Sequence, residues 1–252
     1  MNSSEAFSKT IEQYLNYTQM PWGQLFYQTA WHQMDPYFTL QEQTVLDIGC
    51  GFGITSLEYA KRGNKVTGID PTKDMIERAQ CKGTEVTYLC GSFESMAADM
   101  GSYNWIFCHN ILEYVEDPKL FIKHISGCQD MNGYLSLIAH NPTAKIMKKA
   151  IINKDPVAAL SSIGNSKEYS RIIQTELTIY TFDEISKWLV DSGYDIVGHF
   201  GIHNIYGYIS DNEIKQNEDW HKKIVNLEFE LGNQSPYREI ARFTHIIARK
   251  KT

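Results

Sequence analysis

Residues 45–53 read VLDIGCGFG, an aliphatic run that carries one acid, Asp47, and ends in glycines at every second position, Gly49, Gly51 and Gly53. A dinucleotide cradle needs G-x-G-x-x-G, and a nucleoside-triphosphate loop needs a lysine followed by Ser or Thr; neither spacing is present. What remains is a tight strand-to-helix turn, Gly49-Cys50-Gly51, whose bare backbone admits a ligand beneath a helix N-terminus that attracts a carboxylate. Asp47 is placed to take up an ammonium group. A second acid, Asp70, closes the strand NKVTGID, 23 residues after Asp47. A carboxylate at such a strand tip can accept both hydroxyls of a ribose. Pro71 and Met75, just beyond it, offer apolar cover to a purine. An amino-acid end at one pole and a nucleoside at the other describe S-adenosylmethionine. The plainer reading, that the glycines and Asp70 are turn residues only, leaves unexplained why both motifs fall at strand ends.

The elements that must hold these residues alternate from residue 43 to about 140. TVLDIG, NKVTGID, EVTYLC, NWIFCH and YLSLIAH read as strands; GITSLEYAKRG, PTKDMIERAQCKG and DPKLFIKHISGC read as helices. Pro71 suits a helix entry, and Gly63 and Gly83 suit exits. The alternation predicts an α/β fold, a parallel sheet with helices on both faces. Later, TFDEISKWLVDSG predicts a helix with a capping threonine, and YDIVGHFGIHN and ARFTHIIARK predict two further strands.

Two segments flank this core. Residues 3–38 look helical and hold nine aromatics (Phe7, Tyr14, Tyr17, Trp22, Phe26, Tyr27, Trp31, Tyr37, Phe38) against one lysine and no arginine. They are expected to form a lid, with Tyr17, Trp22 and Phe26 on its inner side. Residues 142–175 hold six basic residues (Lys145, Lys148, Lys149, Lys154, Lys167, Arg171) against two acids, Asp155 and Glu168. This is either a solvated surface or a nucleic-acid contact, with Lys148 and Lys149 as its candidates and Asn141 beside them as a substrate contact. The expected division is a single domain over 1–252: a helical cap at 1–40, a cofactor-binding core at 41–141, a helical basic insertion at 142–175, and the rest of the sheet at 176–252.

At 252 residues, with 42% hydrophobic and 21% charged residues, the chain is long enough for a substantial core. The net charge of −6 argues against a protein that coats nucleic acid nonspecifically. No stretch is apolar enough to cross a membrane and none resembles a secretory leader, so a soluble cytoplasmic protein is expected. The five cysteines form no C-x-x-C pair and are read as free, buried thiols rather than metal ligands.

VLDIGCGFG, GIDPTKDMIERA and NWIFCHNILEYVEDP together resemble the class I S-adenosylmethionine-dependent methyltransferases over residues 43 to about 140. The resemblance implies their Rossmann-like fold, with a seven-stranded, mostly parallel sheet, and S-adenosylmethionine as cofactor. Over its whole length, through WGQL at 22–25, HNILEYVEDP at 109–118, GYLSLIAHN at 133–141 and RFTHIIARK at 242–250, the chain is similar to the bacterial methyltransferases of 5-carboxymethoxyuridine, the wobble uridine of tRNA. That resemblance implies cofactor contacts from Gly49, Cys50, Asp70, Ser92, Phe93 and His109. The chain departs from the pattern twice: Phe26 stands where the family has an arginine for the cofactor's carboxylate, and a basic run after the fifth strand is reduced to Lys167 and Arg171.

The implied reaction is an in-line displacement at a sulfonium, which demands alignment of the nucleophile and exclusion of water. A carboxylate acceptor needs no base. A hydroxyl or a protonated amine does, and His109, His140 and His203 stand at expected strand ends. Structure or cofactor contact is the plainer role for each of them, and no catalytic residue is assigned. A Pro-Cys nucleophile, an Asp/Asn-Pro-Pro-aromatic turn and a carboxylate cluster for magnesium are all absent from the sequence. Three functions compete: methylation of the wobble-uridine carboxylate of tRNA, methylation of a small carboxylate or other polar acceptor, and binding of the cofactor without turnover.

Overall fold

The computed structural model describes residue 8 and residues 10–38, 42–170 and 173–252, so the expectations for Phe7 and Arg171 lie outside the described residues. Of the helices bounded among the described residues the first two are α1 (Ile11–Gln19) and α2 (Pro21–Met34), the second entered through a proline whose missing N–H leaves no bond unmade. The alternating core follows as β1 (Thr44–Ile48), α3 (Ile54–Lys61), β2 (Lys65–Asp70), α4 (Lys73–Gln80) and β3 (Val86–Cys90). It continues through the short helix α5 (Phe93–Met96), β4 (Tyr103–His109), α6 (Pro118–Gly127) and β5 (Gln129–His140).

Residues 142–175 do interrupt the alternation. They carry α7 (Pro142–Met147), a π-helical turn at Lys148–Ile152, α8 (Pro156–Leu160) and an antiparallel pair of strands, β6 (Lys167–Ser170) and β7 (Thr175–Thr178). The strand pair is not legible in the sequence. Beyond it come α9 (Phe182–Asp191), β8 (Tyr194–Ile202), α10 (Asn212–Gln216), α11 (Glu218–Gly232) and β9 (Phe243–Lys250). The threonine cap of α9 is a full capping box, Thr181 and Glu184 satisfying each other's backbone N–H.

The main sheet has seven strands in the order β3-β2-β1-β4-β5-β9-β8, parallel except for β9, which runs antiparallel to both neighbours. This is the Rossmann-like, mostly parallel sheet expected. Its central strands are buried on both faces. Leu46, Ile48 and Ile106 pack with Phe121 and Ile125 of α6, whereas Val45, Trp105 and Phe107 pack with Tyr59 of α3 and Ala30 and Met34 of α2. The direction of winding reverses between β1 and β4, and there the loops at the carboxyl ends part to leave a crevice.

The cysteines depart from expectation in one respect. None is in a disulfide and Cys108 and Cys128 are buried, but Cys81 and Cys90 are exposed and Cys50 is half-buried. Both exposed thiols sit at the solvent-facing ends of elements, α4 and β3, where the apolar pattern gives out.

Candidate functional site

The glycine turn between β1 and α3 works through left-handed backbone. Gly49 has φ +68° and Gly53 φ +66°, and a Cβ at either would collide, with Ile111 Cδ1 at 2.1 Å and with Tyr88 Oη at 2.0 Å. The turn is braced from below: Gly49 and Cys50 donate to the carbonyl of Ile69 at 2.7 and 3.0 Å, and Gly51 N–H donates to Asp70 Oδ2 at 2.9 Å. Asp70 Oδ1 accepts from Thr72 N–H at 2.8 Å. The two expected motifs are therefore one hydrogen-bonded unit. Burial pushes the Asp70 carboxyl above its ordinary value, while the two backbone donors oppose the shift.

A cavity of about 340 Å³ opens over this unit. Of the residues expected at a cofactor, Gly49, Gly51, Asp70, Pro71, Met75, Ser92, Phe93 and His109 line it, and Asp47 and Cys50 line an adjoining chamber of about 50 Å³. Gly53 lines neither. Its place is against Tyr88 of β3, where the lack of a side chain lets α3 start close to the sheet. Asp47 is buried and accepts from Ser56 Oγ at 2.5 Å. Loss of hydration, with the charge of Asp70 nearby, pushes its carboxyl up to about 7.

The first two helices wall this space. Tyr14, Tyr17, Gly23, Phe26 and Tyr27 line the main cavity, and Tyr14 stacks on Phe52 of the glycine turn. Ile11 packs with Phe52 and Met75, and Arg78 of α4 is paired with Glu12. Trp22 does not face inward as expected: it packs with Leu25, Tyr206 and Ile224 on the far side of α2. Phe26 lines both chambers edge-on to Tyr27 and Phe243, at 5.4 and 5.0 Å. Phe26 stands where the resembled family has an arginine, and the wall there is aromatic.

Three histidines were candidates for a base, and the structure separates them. His203 is buried against Phe26, Tyr206 and Phe243, does not line the cavity, and is held near 3 by burial and by Arg242 and Lys215. His109 lines the cavity but belongs to a buried string of polar groups. Its Nε2 meets Ser136 Oγ at 2.8 Å, Ser136 meets His245 Nε2 at 2.8 Å, and His245 Nδ1 meets Gln33 Oε1 at 2.7 Å. Gln33 Nε2 donates to the carbonyl of Gly201 at 2.9 Å, which orients the amide and hence every proton in the string. His245 donates to Gln33, Ser136 to His245, and His109 to Ser136. Burial pushes His109 down to about 3 and His245 well below its ordinary value, so both rings stay neutral. His140 also lines the cavity, held from behind by the buried Glu113, whose Oε1 accepts from His140 N–H at 2.6 Å and from Nδ1 at 2.9 Å.

The expected substrate contacts come out differently. Asn141 does not line the cavity: its Oδ1 caps α7 through Thr143 N–H at 3.0 Å, and its Nδ2 donates to the carbonyls of Glu239 and Ala241. Lys149 turns its ammonium onto Ser162 Oγ at 2.5 Å, and Lys145 is buried with its ammonium on the carbonyls of Asn165 and Lys167. Lys167 meets Thr178 and Glu176. Lys148 is half-buried in the π-helical turn and does not line the cavity. A lysine's long stem allows its head to fold back onto the backbone, and a charge count along the chain does not register that.

Asn110 and Glu113 were missed. Asn110 follows β4 at φ +56°, lines both chambers, and has a buried side-chain oxygen with no partner among the described residues. An unpaired acceptor beside a buried carboxylate is where an ammonium group would be held. The signal available in the sequence was an Asn directly after a strand, a residue tolerant of left-handed backbone. Together the bare turn, Asp70, Asp47 and the Asn110 oxygen fit the two polar ends of S-adenosylmethionine, and Met75 and Phe93 fit its purine.

Residues 46–137 match the methyltransferase domain family. The tRNA 5-carboxymethoxyuridine methyltransferase of Escherichia coli is 28% identical over 242 residues, 90% of this chain and 89% of that protein. The ubiquinone biosynthesis O-methyltransferase of Chromobacterium violaceum is 31% identical over 146 residues, 56% of this chain and 62% of that one. Two solved structures share the fold. The Thermotoga maritima S-adenosylmethionine-dependent methyltransferase, described as a possible histamine N-methyltransferase, has a TM-score of 0.67 at 14% identity over all of both chains. A Listeria monocytogenes protein described as a putative methyltransferase has 0.62 at 20%, covering 89% of this chain and 97% of that one. With the glycine turn, the strand-tip acid and the strand order in place, residues 46–137 form a methyltransferase domain, and the chain has the fold of the S-adenosylmethionine-dependent methyltransferases.

Proposed function

We propose that the enzyme transfers the methyl group of S-adenosylmethionine to an oxygen atom of a small, uncharged acceptor. One observation carries this reading: no lysine or arginine is among the described residues that line the cavity, whose charged members are the acids Asp70 and Glu94. Among the described lining residues a carboxylate acceptor would find acids and apolar groups and no counter-ion, which is costly. In this reading Asp70 accepts the ribose hydroxyls, Pro71, Met75, Ser92 and Phe93 surround the adenine, and Gly49, Cys50 and Gly51 give the backbone approach. Asp47 and the Asn110 oxygen hold the ammonium group, and His109 walls the middle of the cavity. When bound, the cofactor supplies the electrophilic methyl. The protein aligns the acceptor and keeps out water, with Tyr17, Phe26 and Tyr27 as the cover.

A second reading is favoured by a different observation. The Escherichia coli tRNA methyltransferase aligns with nine-tenths of this chain, well beyond the family domain at 46–137. In that reading the acceptor is the carboxylate of a modified wobble uridine. The inward turn of Lys145 and Lys149 removes two of the cations that would hold phosphates. The two readings part on incubation with methyl-labelled cofactor and either bulk tRNA or a filtered small-molecule extract. Label is expected in the extract, and label confined to RNA would reverse the order. Tight cofactor binding with no label in either would leave a binding protein.

A further inference from the structure

The pair of buried Glu113 and half-buried His140 has no place in cofactor binding as described above. Glu113 lies in the turn after β4, with its side chain fully buried, and its Oε1 accepts both the backbone N–H and the Nδ1 of His140. An ionised carboxylate only accepts, so the neutral ring facing Glu113 Oε1 carries its hydrogen on Nδ1 and its lone pair on Nε2. No described residue pairs with Nε2. The ring stands in the cavity wall, its other side against the edge of Phe243 at 4.9 Å. Glu113 Oε2 is buried and unpaired among the described residues, a cost that packing alone gives no reason to keep.

Position completes the case. His140 ends β5, three strand steps from Asp70 at the tip of β2, with β1 and β4 between. At about 4.8 Å per step this is roughly 14 Å across the sheet. With the nucleoside over β2 and β3, His140 stands at the opposite side, beside Phe243, which in turn meets Phe26. His109, the other histidine in the wall, has its Nε2 hydrogen committed to Ser136 and is a weak base.

We infer that His140, oriented by Glu113, is the general base of this methyltransferase, and that its acceptor is a phenolic or other aromatic-borne hydroxyl. The inference rests on the small-acceptor reading. A carboxylate is already a nucleophile and gives such a base nothing to do; a hydroxyl must lose its proton. As the acceptor oxygen attacks, its proton passes to His140 Nε2, the O–CH3 bond forms and the S–CH3 bond breaks. The bond's electron pair stays on sulfur, which becomes a neutral thioether. The imidazolium is stabilised by Glu113 until it loses the proton to water.

The test uses the full chain. Nitrogen NMR of the complex with S-adenosylhomocysteine should show His140 protonated at Nδ1 and bare at Nε2, assigned by loss of the signal in His140→Phe; the opposite tautomer overturns the inference. Transfer of labelled methyl is then measured to phenol, to 4-nitrophenol, which is ionised in mildly alkaline buffer, and to benzoate. His140→Phe should lower transfer to phenol about 100-fold and transfer to 4-nitrophenolate less than threefold, with the affinity for S-adenosylhomocysteine unchanged. Equal loss with both phenols, transfer to benzoate in preference to phenol, or no transfer to either phenol overturns it. If the small-molecule extract takes label while the phenols do not, the inference falls and the small-acceptor reading stands; label only in RNA removes that reading, and the tautomer still reports on the pair.

Discussion

Two histidine clusters cross the same sheet and have opposite construction. In the string Gln33–His245–Ser136–His109 every link has a partner, from the carbonyl of Gly201 to the ring at the cavity wall, and the groups along it are buried or nearly so. In the pair Glu113–His140 one carboxylate oxygen is unpaired and one ring nitrogen is left to the cavity. A buried, neutral polar string sets the orientation of its members and resists protonation. The open pair backs its ring with a carboxylate. Strand-end position therefore says little about a histidine's role; what differs is the partner behind the ring, a neutral hydroxyl for His109 and a buried carboxylate, able to steady a protonated ring, for His140.

The largest effect is expected at His140. Its replacement by Phe should cut transfer to an un-ionised acceptor by about 10²-fold and, because it takes the Nδ1–H from the buried Glu113, lower the urea midpoint as well. Ser136→Ala should act on stability alone. It leaves the Nε2 atoms of two buried rings unpaired and should cost about 2 kcal/mol of stability, read by urea unfolding, with the pH profile of transfer unmoved.

Acid sharpens the same contrast. His109 is neutral in the fold, held near 3 by burial, whereas the unfolded chain protonates it below about 6.5. Stability that is full above 6.5 is therefore lost as the pH falls through that value toward 3. Between pH 7 and 5 the loss should approach about 2 kcal/mol for this residue. Urea midpoints across that range check it, and His109→Gln should flatten the slope.

A smaller effect is expected at Asp47. Its carboxyl, raised to about 7, is protonated below that pH, and only the ionised form pairs with an ammonium. Affinity for S-adenosylhomocysteine should fall by up to about tenfold per pH unit below 7, with a proton released on binding. Calorimetry in two buffers of different ionisation heat measures this, and Asp47→Asn should abolish the release. The smallest effect belongs to Lys149→Ala, expected to change transfer less than twofold, since its ammonium is engaged with Ser162.

What could be read along the chain was whatever depends on near neighbours. Asp70 is legible because a strand, its terminal acid and the following Pro71 lie within a few residues, and the glycine turn is legible for the same reason. Glu113 was not: its partner is 27 residues away and meets it only because β4 and β5 are adjacent. Asn141 and Lys149 were misread because their polar ends turn to Ala241 and Ser162, groups no local pattern predicts.

The class of fold, the glycine turn and the strand-tip acid are written along the chain, since hydrophobic periodicity and glycine spacing act over single elements. Packing in three dimensions settled which partner each histidine meets, that no lysine or arginine is among the described residues of the cavity wall, and that two basic side chains of the insertion fold inward. The direction a polar side chain takes is set by the partners that packing brings to it, and those partners lie far away along the chain.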